Sequence, residues 1–82
     1  MNDYVPIPCH IYDQLEAIAT RKQLCHLHYQ DHNGKSTCLV DYLINFQTKE
    51  KVEYLITSAG YSIRLDRIHH FETMLWNQKT AG

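Results

Sequence analysis

Glycine is scarce in this chain, with three copies in 82 residues, and proline occurs twice. So few glycines leave no room for a glycine-rich phosphate cradle, and no serine or cysteine sits in a recognisable nucleophile elbow. Neither charge sign is in excess. Eight Lys and Arg face nine Asp and Glu, for a net charge of -1 and a pI near 6.6, whereas nucleic-acid affinity rests on phosphate contacts that need a basic field. Three cysteines cannot all pair within one chain, and no N-terminal apolar run resembles a signal peptide or a membrane span. The expectation is a reduced, cytoplasmic protein, without disulfides and monomeric.

What is present suffices for one small domain. A chain of this length buries about 60% of the surface its unfolded form exposes, and with 44% hydrophobic residues it can fold without metal or crosslinks. There is little room for a deep active-site cavity. No enzyme activity and no cofactor are expected.

Pro6 and Pro8 hold residues 1–8 in an extended arm. From 10 to 20, Ile11, Leu15 and Ile18, with Ala19 beside them, form a helical stripe, and Asp13 and Glu16 share an exposed face near the helix start. The rest alternates with period two. Cys25, Leu27 and Tyr29 oppose His26 and His28 in a first strand, and Asn33-Gly34 supplies a two-residue hairpin turn. In the next strand, Ser36 to Phe46, the parity of Cys38, Val40, Tyr42, Ile44 and Phe46 conflicts with Leu39 and Leu43, which predicts a bulge or burial on both faces. Residues 47–51 read as a polar loop.

The run from Val52 to Phe71 organises the remainder. Val52, Tyr54 and Ile56 alternate with Glu53, Leu55 and Thr57, Gly60 closes a turn, and Tyr61, Ile63 and Leu65 resume the alternation. Asp66 bends the chain into a last strand from Ile68 to Leu75, and residues 77–82 read as a frayed tail. The expected architecture is mainly β: a bent five-stranded antiparallel barrel over 24–76 with an N-terminal helix. Its expected core is Leu15, Ile18, Leu27, Val40, Tyr54, Ile56, Ile63, Leu65 and Ile68.

Six histidines raise the question of metal. Cys25 and His28 fall on opposite strand faces, as do His69 and His70, while His26 and His28 share a face but need two more ligands from elsewhere. No metal site is expected. Cys25 and Cys38 read as small core hydrophobes, and Tyr29, Tyr42, Tyr54 and Tyr61 as core aromatics rather than stacking platforms for RNA.

The opening NDYVPIPCHIYDQLEAIA, with its Pro-Ile-x-Cys-x-x-Tyr-Asp-x-Leu-Glu pattern from Pro6 to Glu16, and the later VEYL and RLDRIHHF resemble the Rof family. These are small bacterial inhibitors of the transcription termination factor Rho. The resemblance implies an Sm-like barrel that binds the Rho N-terminal domain over its primary RNA site and so blocks RNA. It also implies partner contacts at Tyr12, Asp13 and Glu16, then Asp3 and Tyr4, and at Lys49 and Lys51 in the loop before VEYL. Relatives carry further acids where this chain has His10 and Ile11, and the loop before VEYL is longer here. Two other readings stand beside it: an Sm-like module that binds RNA itself, and a protein-interaction adaptor with no nucleic-acid role.

Overall fold

The structure, a computed structural model, describes residues 4–74. Helix α1 spans Cys9–Thr20, and five strands follow: β1 Leu24–Gln30, β2 Ser36–Lys49, β3 Val52–Thr57, β4 Ser62–Arg64 and β5 Ile68–Thr73. They form one antiparallel sheet in the order β4-β3-β2-β1-β5. Asp3, the final residues of the expected barrel and the tail lie outside the described residues. No described helix is long and apolar enough to cross a membrane.

The expected helix and five strands are therefore present, but the sheet is not closed: among the described residues β4 and β5 share no ladder. The sheet nevertheless curls. Its edge strands are consecutive in the chain, joined by a 3-10 turn at Leu65–Arg67. Four strand spacings in a flat sheet amount to about 19 Å, whereas a three-residue 3-10 turn advances only about 6–8 Å. Bending resolves the mismatch.

Strand β2 supplies much of that bend. Its first half, Ser36 to Tyr42, pairs with β1, and its second half, from Leu43, pairs with β3. The register shifts between Leu43 and Asn45, leaving Ile44 as the extra residue. This bulge is the one the conflicting parity predicts, and it reverses which residues face in. Leu39 and Leu43 point to the core before it and Phe46 after it, so Val40 lies outside at 45% exposure, contrary to its assignment as core. Asp41 holds the bend. Its carboxylate accepts the N–H of Tyr42 at 2.8 Å and that of Ala59, in the β3–β4 turn, at 2.8 Å. Burial disfavours the Asp41 charge, but these donors and the Thr57 hydroxyl outweigh it and hold its carboxyl below the usual range.

The core comprises Leu15, Ile18, Cys25, Leu27, Tyr29, Leu43, Leu55, Ile63 and Leu65. Each fully buried leucine contributes roughly 1.5–3 kcal/mol of transfer free energy. Ile68 packs partly against the core, while Tyr54 and Ile56 are half-buried and outside it. The inward side of β3 carries Leu55 and Thr57, both buried, and Leu55 pairs with the equally buried Ile63 of β4. Of the four tyrosines expected to serve as core aromatics, Tyr29 alone is core; Tyr42 and Tyr61 are 43% and 52% exposed.

The connections show how a glycine-poor chain turns. Between β1 and β2, Gly34 has φ 80° and donates its N–H to the Asp31 carbonyl, while Asn33 keeps negative φ; the turn is longer than the expected two residues. The Asp31 carboxylate accepts the N–H groups of Lys35 and Asn33, which lower its pKa in that order. At the end of α1, Lys22 adopts φ 55°, and Gln23 and Lys22 donate to the carbonyls of Ile18 and Ala19, a Schellman closure without its usual glycine. The expected loop at 47–51 is instead a tight hairpin. Gln47 to Lys49 continue β2, Lys49 pairs with Val52, and Glu50 and Lys51 turn the chain with φ 53° and 68°.

Candidate protein-interaction face on the N-terminal helix

Helix α1 begins on Pro8, whose carbonyl accepts the N–H groups of Ile11 and Tyr12. No side chain caps it and its first turn holds no acid, so Asp13 and Glu16 sit too far along to complement the dipole as expected. Leu15 and Ile18 face the core, which leaves Asp13 and Glu16 exposed on the opposite side. Their charges are free to meet a partner.

Tyr12 lies at the edge of this face. Its ring packs against Phe46 with centroids 5.1 Å apart, fixing it half-buried between helix and β2. Burial, then the charges of Glu16 and Glu53, push its pKa up. Glu53 therefore belongs to the acidic surround, although strand alternation alone gave no reason to place it near α1. Beside Glu16 runs a shallow groove of about 200 Å³ lined by Ala19, Thr20, Ile44, Asn45 and Phe46. Ile44, turned out by the bulge, is 59% exposed there. Carboxylates, a fixed aromatic and an exposed aliphatic thus adjoin one another.

Tyr4 has a different situation. Its hydroxyl donates to Glu53 Oε1 at 2.7 Å, and its ring lies 5.8 Å from the Arg64 guanidinium. Burial first, then the bond to Glu53, raise its pKa strongly. Nearby, Arg64 clasps Asp66 through Nε at 3.0 Å and Nη2 at 2.7 Å, and Asp66 also accepts the Val5 N–H at 3.2 Å. Tyr4 thereby ties the arm to β3 and β4, a structural task that stands beside any contact role. Lys49 and Lys51 are exposed at the β2–β3 turn, on the hairpin rather than on α1.

Two further clusters lie elsewhere. A cleft of about 460 Å³ is lined by Tyr29, Tyr54 and Tyr61 together with Asp31, Arg64 and Arg67. On the outer face of β1 and β2, His26, His28 and Cys38 converge. Cys38 is exposed rather than core, since it shares the outward parity of Val40. No family model matches the chain, and no curated protein matches it either.

Proposed function

We propose that this protein acts by occlusion: the acidic face of α1 docks on a basic, RNA-binding surface of another protein and keeps RNA from it. The resemblance at Pro6 to Glu16 names that partner as Rho and the surface as its primary RNA site. The observation that carries the reading is the pair Asp13 and Glu16, exposed on one helix face beside Tyr12 and the groove under Ile44. A surface built for phosphates is positive, so a competitor for it presents carboxylates. Glu53 strengthens the field around Tyr12. An Sm-like barrel is the accompanying fold reading, supported by the β4-β3-β2-β1-β5 order and the 3-10 turn between the edge strands.

A second reading has one observation in its favour. The tyrosine-rich cleft, with Arg64 and Arg67 at its wall, offers rings on which single-stranded bases could stack. Its charge is weaker than its composition suggests, because Arg64 is clasped by Asp66 and Asp31 lines the same cleft. The near-neutral chain adds no basic field.

The test is a competition experiment with purified Rho and a pyrimidine-rich RNA. The parent displaces RNA; D13K/E16K replaces attraction by like-charge repulsion and loses about 3 kcal/mol of binding, roughly a hundredfold in affinity, while remaining folded. Salt weakens the parent complex over a screening length of about 8–10 Å. A folded double variant that competes at full strength refutes the assignment to α1. Direct, saturable binding of RNA to this chain, with no binding to Rho, selects the cleft instead.

A further inference from the structure

Beyond the α1 face, three strands bring metal-ligating side chains together on the outer side of the sheet. In the register, His28 stands opposite Cys38 on β2 and opposite His70 on β5, while His26 stands opposite Glu72. The His26 and His28 rings lie 4.3 Å apart, and His28 and His70 5.5 Å apart. One ligand atom from each of His26, His28 and Cys38 fits within 4.8 Å of the others. Local spacing hides this grouping, because Cys38 is ten residues from His28 in sequence and meets it through the ladder.

We infer that His26, His28 and Cys38 form a binding site for a thiophilic divalent cation, zinc above all. A tetrahedral zinc with bonds near 2.0–2.3 Å sets neighbouring N and S ligands roughly 3.5 Å apart. His28 Nδ1 and Cys38 Sγ are already 3.3 Å apart, so that edge of the tetrahedron is in place. The remaining spread of 4.8 Å closes by side-chain rotation alone, since all three residues are at or near the surface. Two imidazoles and a thiolate suit zinc better than magnesium or calcium, which take oxygen. Glu72 adds a supporting carboxylate 3.8 Å from His26 Nδ1, on the side that would leave Nε2 for the metal. The fourth position faces solvent and is filled by water or by His70. On binding, Cys38 coordinates as thiolate and its proton passes to solvent.

Without metal, the 3.3 Å contact is a thiol–imidazole hydrogen bond, and the histidines would repel one another when protonated. The two states are distinguished by titrating the full chain, kept reduced by a phosphine, with cobalt(II) alone and then zinc. The expected result is tetrahedral cobalt absorption with a thiolate-to-metal charge-transfer band that saturates at one equivalent and is abolished by zinc. C38S loses the band, H28A weakens binding by roughly tenfold or more, and C9S behaves as the parent. Far-UV circular dichroism verifies that each variant is folded; all these positions are exposed or half-buried. Zinc-induced shifts of the imidazole resonances of His26 and His28 in the parent give a readout that needs no variant. Absence of saturable binding, or a charge-transfer band that survives in C38S, overturns the site.

Discussion

The β2–β3 hairpin turns through two residues that both sit in the left-handed region, Glu50 at φ 53° and Lys51 at φ 68°, with Lys49 paired to Val52 across it. That geometry suits a strongly twisted hairpin but favours Asn-Gly. For a residue with a Cβ the left-handed conformation costs roughly 1–2 kcal/mol, so the pair stores about 2–4 kcal/mol. Substituting E50N and K51G relieves most of it. Against this, glycine makes the unfolded chain more flexible by about 0.4–1 kcal/mol, and the surface interactions of Glu50 forfeit up to about 0.5 kcal/mol. The net expectation is a gain of about 1–2 kcal/mol. In a domain of this size each kcal/mol raises Tm by about 4–8 °C. Urea melts with an unchanged slope should show the midpoint moving upward. A double variant no more stable than the parent would refute the strain and, with it, the two-residue turn.

Two other expectations follow from the core. Leu65 is 1% exposed in the 3-10 turn that joins the sheet edges, so L65A should cost about 2–5 kcal/mol in a chemical melt; a variant as stable as the parent would mean the turn does not anchor the curl. Cys25 is fully buried, and burial pushes its thiol from 9.0 up to about 11. Because the folded state holds the neutral thiol, its contribution is intact below pH 9 and is lost as pH rises toward 11, at a cost of roughly 3 kcal/mol. C25A should flatten that part of the alkaline stability profile, and a thiol reagent should label Cys9 and Cys38 in the native protein but not Cys25.

The helix and β1 are legible in the sequence because each keeps one period throughout: Leu15 and Ile18 on one stripe, Cys25, Leu27 and Tyr29 on one parity. β2 is legible only in part. Leu39 and Leu43 against Val40 and Ile44 announce the bulge, but which set faces in depends on where the extra residue falls, and that is fixed by Asp41 reaching across to the Ala59 N–H. An eighteen-residue separation leaves no local trace. β3 misleads for a related reason, since Tyr54 and Ile56 are apolar enough for a core yet stand on the outer side of a thin sheet. Asp13 and Glu16 follow from the helical period alone. The contribution of Glu53 to their field, the exposure of Ile44 and the meeting of Cys38 with His28 all arise from strand register, which the sequence does not print.

The two candidate surfaces occupy opposite sides of the sheet. Alternation along β1 sends Cys25, Leu27 and Tyr29 into the core that α1 covers and sends His26 and His28 outward. A charge reversal at Asp13 and Glu16 therefore acts on the covered side, while a metal ligand removed at Cys38 acts on the open one. The shared core, whose polar side-chain atoms are the Cys25 thiol and the Tyr29 hydroxyl, holds no charged side chain to transmit charge between them. Partner binding should respond to salt and to D13K/E16K with metal affinity unchanged, and metal affinity should fall in C38S with RNA competition unchanged. Loss of both in a single folded variant would contradict this separation, because it would require coupling through a core that changes shape when either face is occupied.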